Sequence, residues 1–146
     1  MARELFTIGY QGATIDTFIA SLLANNINCV LDVRALPLSR KPGFSKAELA
    51  RRLNLVEIQY VHFAELGTPE SVRENLKITR DYSTFFGTME AYLAKQKYPI
   101  EIAYSYVIKY KCCLMCFERL ADECHRKIIA AKIKERDGNG LKIKNI

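Results

Sequence analysis

Five apolar runs of strand length, separated by segments whose apolar residues recur at helical spacing, set the limits on what this chain of 146 residues can fold into. The runs are "ELFTIGY", "NCVLDVR", "EIQYVHF", "KCCLMCFE" and "LKIKNI". Between them, Ile15, Phe18, Ile19, Leu22 and Leu23 share one helical face, "FSKAELARRL" reads as a second helix, and Tyr82, Phe85, Phe86, Met89 and Leu93 form an aromatic helical stripe. Pro99 suits the first turn of a helix carrying Ile100, Ala103, Tyr104, Val107 and Ile108, and "ADECHRKIIAAKIKER" reads as the last helix. Strands separated by helices pair in parallel through right-handed crossovers. The pattern therefore predicts a single α/β domain over residues 1–146, a three-layer fold with a mainly parallel sheet of about five strands and helices on both faces.

Local signals sharpen the boundaries. Thr14 is placed to cap the first helix, and Ser45 with Glu48 has capping-box spacing while Phe44 is set to staple onto Leu49. Gly9-Tyr10-Gln11-Gly12 and "DGNG" read as turns. The segment from Thr68 to Arg80 follows no clear period and reads as loop with some helix.

The chain is 49% hydrophobic and 26% charged. At this length roughly 68–70% of the unfolded surface is buried on folding, enough for a real core. No apolar run approaches the roughly 18 residues of a membrane span, and "MARELFTIGYQG" carries charge where a secretory leader would be apolar. A cytoplasmic protein with no membrane contact is expected. The five cysteines, Cys29, Cys112, Cys113, Cys116 and Cys124, are odd in number and crowd toward one end, so they read as reduced thiols. Residues 109–146 hold ten Lys/Arg and five Asp/Glu, and ten minus five makes +5 of the total +6. This basic end points to anionic ligands or nucleic acid, or to a solvated Lys/Arg helix face.

In parallel sheets, ligands bind beyond the carboxyl ends of the strands, where loops and helix starts present free N–H groups. Every conspicuous polar cluster here follows a strand: Gly9 to Gly12, Asp32 with Arg34, His62 with Glu65, Glu118, and Cys124-His125-Arg126. Parallel pairing would gather them on one sheet edge. Arg34, Arg40, Lys41 and Arg126 make that edge cationic, and phosphate or another oxyanion is its natural ligand. Asp32, Glu65 and Glu118 are placed to orient guanidinium groups or act as bases, and His62 and His125 are the only imidazoles. The alternative is that Asp32 and Arg34, two apart on a strand, pair within the fold. No Walker loop, dinucleotide fingerprint or complete triad is present.

Cys113-x-x-Cys116 with Cys124-His125 has the spacing of a Cys3His zinc set. In a strand, residues three apart face opposite ways, so Cys113 and Cys116 cannot share an ion and no metal ligand is assigned. The Cys113-x5-Arg119 spacing matches a phosphatase loop, but Leu114, Met115 and Phe117 are too bulky for a phosphate cradle. Cys116, nearer the strand's carboxyl end, could face the site but reads first as packing. Cys124, expected in the first turn of the last helix near Arg126, reads first as a structural or hydrogen-bonding thiol and second as a thiolate nucleophile, with Asp122 and Glu123 opposing the charge.

The ordered set "TIGYQG", "DVRALPLSRKPGFS", "YVHFAELG" and "CFERLADECHR" resembles the uncharacterised family called domain of unknown function 488, over nearly the whole chain. The resemblance implies an α/β fold and no established activity. Its signature residues fall here on Gly9, Tyr10, Asp32, Arg34, Ser39, Arg40, Gly43, Phe44, Tyr60, His62, Leu66, Gly67, Cys116, Glu118, Cys124, His125 and Arg126. The candidate catalytic residues are thus Glu118, Cys124, His125, Glu65 and His62, and the candidate ligand-binding residues Gly9, Tyr10, Asp32, Arg34, Ser39, Arg40 and Arg126. Three readings stay open. One is an enzyme or binding protein for a phosphate-bearing or nucleotide-like ligand; another is a nucleic-acid-binding module using the basic C-terminal helix and the "SRKPG" loop; the last is a zinc or thiol-redox protein. Cofactor and oligomeric state are left unassigned.

Overall fold

A computed structural model describes residues 3–138 and 140–146. Five strands, β1 (Arg3–Gly9), β2 (Cys29–Asp32), β3 (Gln59–His62), β4 (Cys112–Cys116) and β5 (Leu141–Asn145), form one sheet in the order β3-β2-β4-β1-β5. Every pairing is parallel. The six helices are α1 (Ile15–Ala24), α2 (Lys46–Leu55), α3 (Glu70–Thr79), α4 (Tyr82–Ala94), α5 (Lys97–Val107) and α6 (Arg126–Asp137), with short 3₁₀ turns at Ala64–Leu66 and Ala121–Glu123. The predicted three-layer α/β architecture is observed.

Strand alternation builds a core on each face of the sheet. Phe6, Ile8, Val30, Cys113 and Met115 point toward α1 and α2, where they meet Phe18, Leu22, Leu49 and Leu53. Leu5, Leu31, Cys112, Leu114 and Cys116 point the other way, toward Met89 and Leu93 of α4, Ala103 of α5, and Ile129 and Ile133 of α6. All five β4 residues are buried, as a central parallel strand covered on both faces requires. Among the described residues no helix is long and apolar enough to cross a membrane.

Three local readings change and one holds. The segment after Pro69 is helix α3, and none of its residues is buried. Val72 and Leu76, four apart, pack against the core but are only partly covered, and the polar residues around them hid that spacing. Thr14 does cap α1, in a reciprocal pair with Thr17. The Ser45–Glu48 box does not form: Ser45 Oγ accepts from Ser39 N (3.1 Å) and donates to Ser39 O (3.1 Å), and Glu48 pairs with Arg51. The last helix begins at Arg126, with Cys124 extended ahead of it rather than in its first turn. The "DGNG" reading includes residue 139, which lies outside the described residues.

The carboxyl ends of β1 and β4 are locked together. Tyr10 N donates to Cys116 O (3.1 Å) and Gln11 N to Phe117 O (2.8 Å), continuing the ladder past both strands. A Cβ on Gly9 would sit 1.7 Å from the carbonyl oxygen of Glu118, so only glycine allows this approach. Gly9→Ala is expected to force the two segments apart and cost about 2–3 kcal/mol, measured as a lower urea midpoint at unchanged slope.

Candidate functional site

The chain leaves β1 and β2 toward α1 and α2 on one face, but leaves β4, which lies between them, toward α6 on the other. Connections that diverge around a central strand open a crevice at its carboxyl end. A cavity of about 620 Å³ occupies that crevice. Its lining includes Tyr10, Gln11, Arg34, Ser39, Cys116, Glu118, Glu123 and His125 from the strand ends and the segments that follow them.

Beside it, Asp32 and Arg34 form a buried pair, 0% and 7% exposed. Arg34 Nε donates to Asp32 Oδ1 (2.9 Å) and Nη2 to Oδ2 (2.8 Å), while Nη1 donates to Phe44 O (2.7 Å) and reaches Tyr10 Oη (3.4 Å). Tyr60 completes the carboxylate's shell at 2.5 Å, and Tyr10 stacks on Phe44 with ring centroids 4.4 Å apart. Burial alone would lower the Arg34 pKa; its bonds to Asp32 overcome that and raise it. Burial followed by the Asp32 charge raises the Tyr60 hydroxyl. This guanidinium is thus engaged in holding "DVR" to the turn after β1 and to the "SRKPG" loop, the internal pairing that the two-residue spacing allowed.

Both histidines clamp the same segment. His62 Nε2 donates to Arg34 O (2.7 Å) and His125 Nε2 to Val33 O (2.8 Å). A carbonyl only accepts, so each Nε2 carries the proton and His125 Nδ1 is an acceptor facing Cys124 Sγ at 3.6 Å. Burial, which outweighs the favourable bond to Val33, pushes His125 down to about 4. His125 is therefore a neutral, oriented base.

Arg126 is 1% exposed. Its Nε donates to Thr7 Oγ1 (3.2 Å), Nη1 to Cys116 Sγ (3.1 Å) and Glu118 O (2.5 Å), and Nη2 to Arg119 O (3.0 Å). Among the described residues it has no carboxylate ion-pair partner. The structure also joins the sulfurs of Cys116 and Cys124, correcting the expectation of five reduced thiols; Cys29, Cys112 and Cys113 remain free. Cys116 Sγ lies 3.6 Å from Glu118 Oε2, and burial raises the Glu118 carboxyl above its ordinary range. Cys116, Glu118 and Cys124 offer three ligand atoms within 4.8 Å of one another. Cys113 faces the opposite core, so the Cys3His set does not assemble. The Arg126 cation against Cys116 opposes a metal ion there.

Other expected residues fall elsewhere. Arg40 is exposed and does not line the cavity, nor do Glu65 and His62. The N–H groups of Tyr10 and Gln11, the natural phosphate donors of "GYQG", are already bonded to β4 carbonyls. The basic face of α6 is largely paired: Lys127 with Asp122, Lys132 with Glu90, Arg136 with Glu101. What sequence reasoning missed is α3, whose Arg73 and Lys77, with Arg80 just beyond its end, line the cavity. Spacing of four and three after a helix-starting Pro69 was the available signal. Cys116, which the sequence allowed to face the site but ranked as packing, does line the cavity.

A family model described as domain of unknown function DUF488 matches residues 14–133. The chain belongs to this family. The match begins after "TIGYQG" and ends before β5, so both central motifs, "DVR" and "CHR", lie inside it. No curated protein and no solved structure matches.

Two tests follow from the geometry of this DUF488 chain. Asp32→Asn leaves the Arg34 charge buried without its counterion and is expected to cost about 3–5 kcal/mol, read by chemical denaturation. His125 has a folded pKa below its unfolded value, so between about 6.5 and 4 the unfolded chain binds a proton that the native chain does not. Its contribution is complete above pH 6.5 and declines as pH falls toward 4, by up to about 3 kcal/mol. His125→Gln keeps a donor for Val33, and its stability should lack this part of the decline when both proteins are unfolded across that range.

Proposed function

We propose that this chain binds a phosphate-bearing, nucleotide-like small molecule in the crevice at the carboxyl end of β4, with Glu118 and His125 as the proton-exchanging groups beside it. The observation that carries the reading is the cationic wall formed by Arg73, Lys77 and Arg80 over the cavity, facing strand-end polar groups that include Gln11 and Ser39. Arg73 is also felt by Glu118, whose carboxyl it acts to lower. Among the described residues neither Arg73 nor Arg80 has a carboxylate partner, and Lys77 makes only an exposed contact with Glu74 at 3.5 Å. Unpaired cations at a concave site are suited to an oxyanion. Leu36, Leu38, Tyr82, Phe85 and Phe117 line the cavity too and supply an apolar surface for a planar base. The volume of about 620 Å³ falls in the usual small-molecule range. Pairing of the α6 cations leaves the nucleic-acid alternative without comparable support.

Arg80 gives a clean test because it closes α3 at φ 56, a left-handed conformation that favours glycine. Arg80→Gly is expected to leave stability equal or higher while weakening a nucleoside diphosphate about tenfold, the loss of one charge-assisted contact. Lys77→Ala should act similarly. Calorimetric titration with a nucleoside diphosphate, pyrophosphate and a bare nucleoside checks this. Binding of the phosphate-bearing probes only, weakened in both variants, is the expected result; no binding of any probe, or equal affinity in both variants, rejects it.

A further inference from the structure

The crevice holds a second chemistry that anion binding does not use. Cys116 ends β4 and lines the cavity while Cys124 lies outside the lining, and both are 1% exposed. Their sulfurs meet, across Cα atoms 7.7 Å apart. The two differ in their neighbours. Cys116 Sγ receives the Arg126 guanidinium at 3.1 Å and has Glu118 Oε2 at 3.6 Å. Cys124 Sγ faces the unprotonated Nδ1 of neutral His125 at 3.6 Å and the Arg126 backbone N at 3.5 Å.

A guanidinium buried to 1% without a carboxylate partner is an unusual expense of solvation. Its other acceptors, Thr7 Oγ1, Glu118 O and Arg119 O, are neutral. Among its hydrogen-bond acceptors the one able to carry a negative charge is the Cys116 sulfur, with the Glu118 carboxyl acting on the guanidinium from beyond it, and a cation in contact stabilises a thiolate there. That arrangement separates an attacking sulfur at the cavity floor from a second sulfur within bonding reach.

We propose that Cys116 and Cys124 form a redox centre that reduces hydroperoxides, with Cys116 as the attacking thiolate and Cys124 as the resolving thiol. In the first step the Cys116 thiolate attacks the terminal oxygen of ROOH; the O–O bond breaks, Cys116 becomes the sulfenic acid, and the leaving alkoxide takes the Glu118 proton as ROH. Cys124 then attacks the sulfenic sulfur. The S–S bond forms, the S–O bond breaks, and hydroxide leaves as water with the proton that Cys124, held toward His125, gives up. An external dithiol returns two electrons and two protons, restoring the Cys116 thiolate, the Cys124 thiol and the Glu118 acid as it becomes a disulfide itself. The net conversion is ROOH plus a dithiol to ROH, water and a disulfide. The centre shares the crevice, Glu118 and His125 with the proposed anion site, but Arg73, Lys77 and Arg80 take no part in it.

The full chain, reduced with dithiothreitol and freed of it, is treated with one equivalent of hydrogen peroxide, and peroxide loss, thiol content and intact mass are followed. Expected is loss of two thiols per chain as a Cys116–Cys124 disulfide, with recovery on adding dithiothreitol. Cys116→Ser should abolish peroxide consumption, and Cys124→Ser should leave a sulfenic acid that dimedone labels at Cys116. Glu118→Gln, which keeps the fold's contacts, should slow the first step about 100-fold as a lost general acid. Nucleoside-diphosphate titration is run on the same chain beside the peroxide assay, so failure of one proposal is read apart from failure of the other. Peroxide consumption that survives Cys116→Ser, dimedone label on a cysteine other than Cys116, or one equivalent of Zn²⁺ bound tightly enough to protect both thiols would each overturn the assignment.

Discussion

A single buried guanidinium organises the carboxyl end of this sheet. Arg126 opens α6, yet its donors reach Thr7 in β1, Cys116 at the end of β4, and the carbonyls of Glu118 and Arg119 in the segment beyond. Thr7 in turn donates to Asn145 of β5, so one side chain links three strands and a helix through hydrogen bonds. Such burial is tolerated because every contact is satisfied, and the same desolvation makes each contact matter more than it would at the surface. It also aims a positive charge at the sulfur that terminates the central strand.

The Asp32–Arg34 pair shows the other way to bury a charge, with the counterion two residues away and both partners caged by Tyr60, Tyr10 and Phe44. Together the two arginines turn the strand ends into a rigid platform. The consequence for function is an inversion of roles. The arginines most conspicuous in the sequence hold the platform together, while Arg73 and Lys77 of α3, a helix with no buried residue, and Arg80 just past its end line the crevice. Rigid structure with exposed, unpaired charge above it is how loops and lid elements carry binding on a fixed scaffold.

Much of the fold was legible because buried parallel strands and amphipathic helices leave different periods in a sequence. "CCLMC" read as a strand covered on both faces, and it is. The candidate site was legible only as a place. The rule that ligands meet the carboxyl edge located it, and Tyr10, Arg34, Ser39, Glu118 and His125 do line the cavity. Arg40 and Glu65 share the edge in sequence terms but do not line the cavity, because position after a strand does not fix where a loop residue ends up. α3 was obscured because only Val72 and Leu76 mark its inner face, and Cys116 was ranked as packing because a sulfur in an apolar run looks like it.

By itself the sequence determined the layers, the parallel pairing and the edge on which polar groups collect, since periodicity and strand length depend on neighbours a few residues apart. Strand order, the divergence of α1 and α2 from α6 around β4, and the meeting of Arg126 with Cys116 were decided only by tertiary structure. The physical reason is range. Which arginine faces a carboxylate and which faces a sulfur follows from contacts between residues far apart in the chain, 119 positions for Arg126 and Thr7, and no local pattern encodes them.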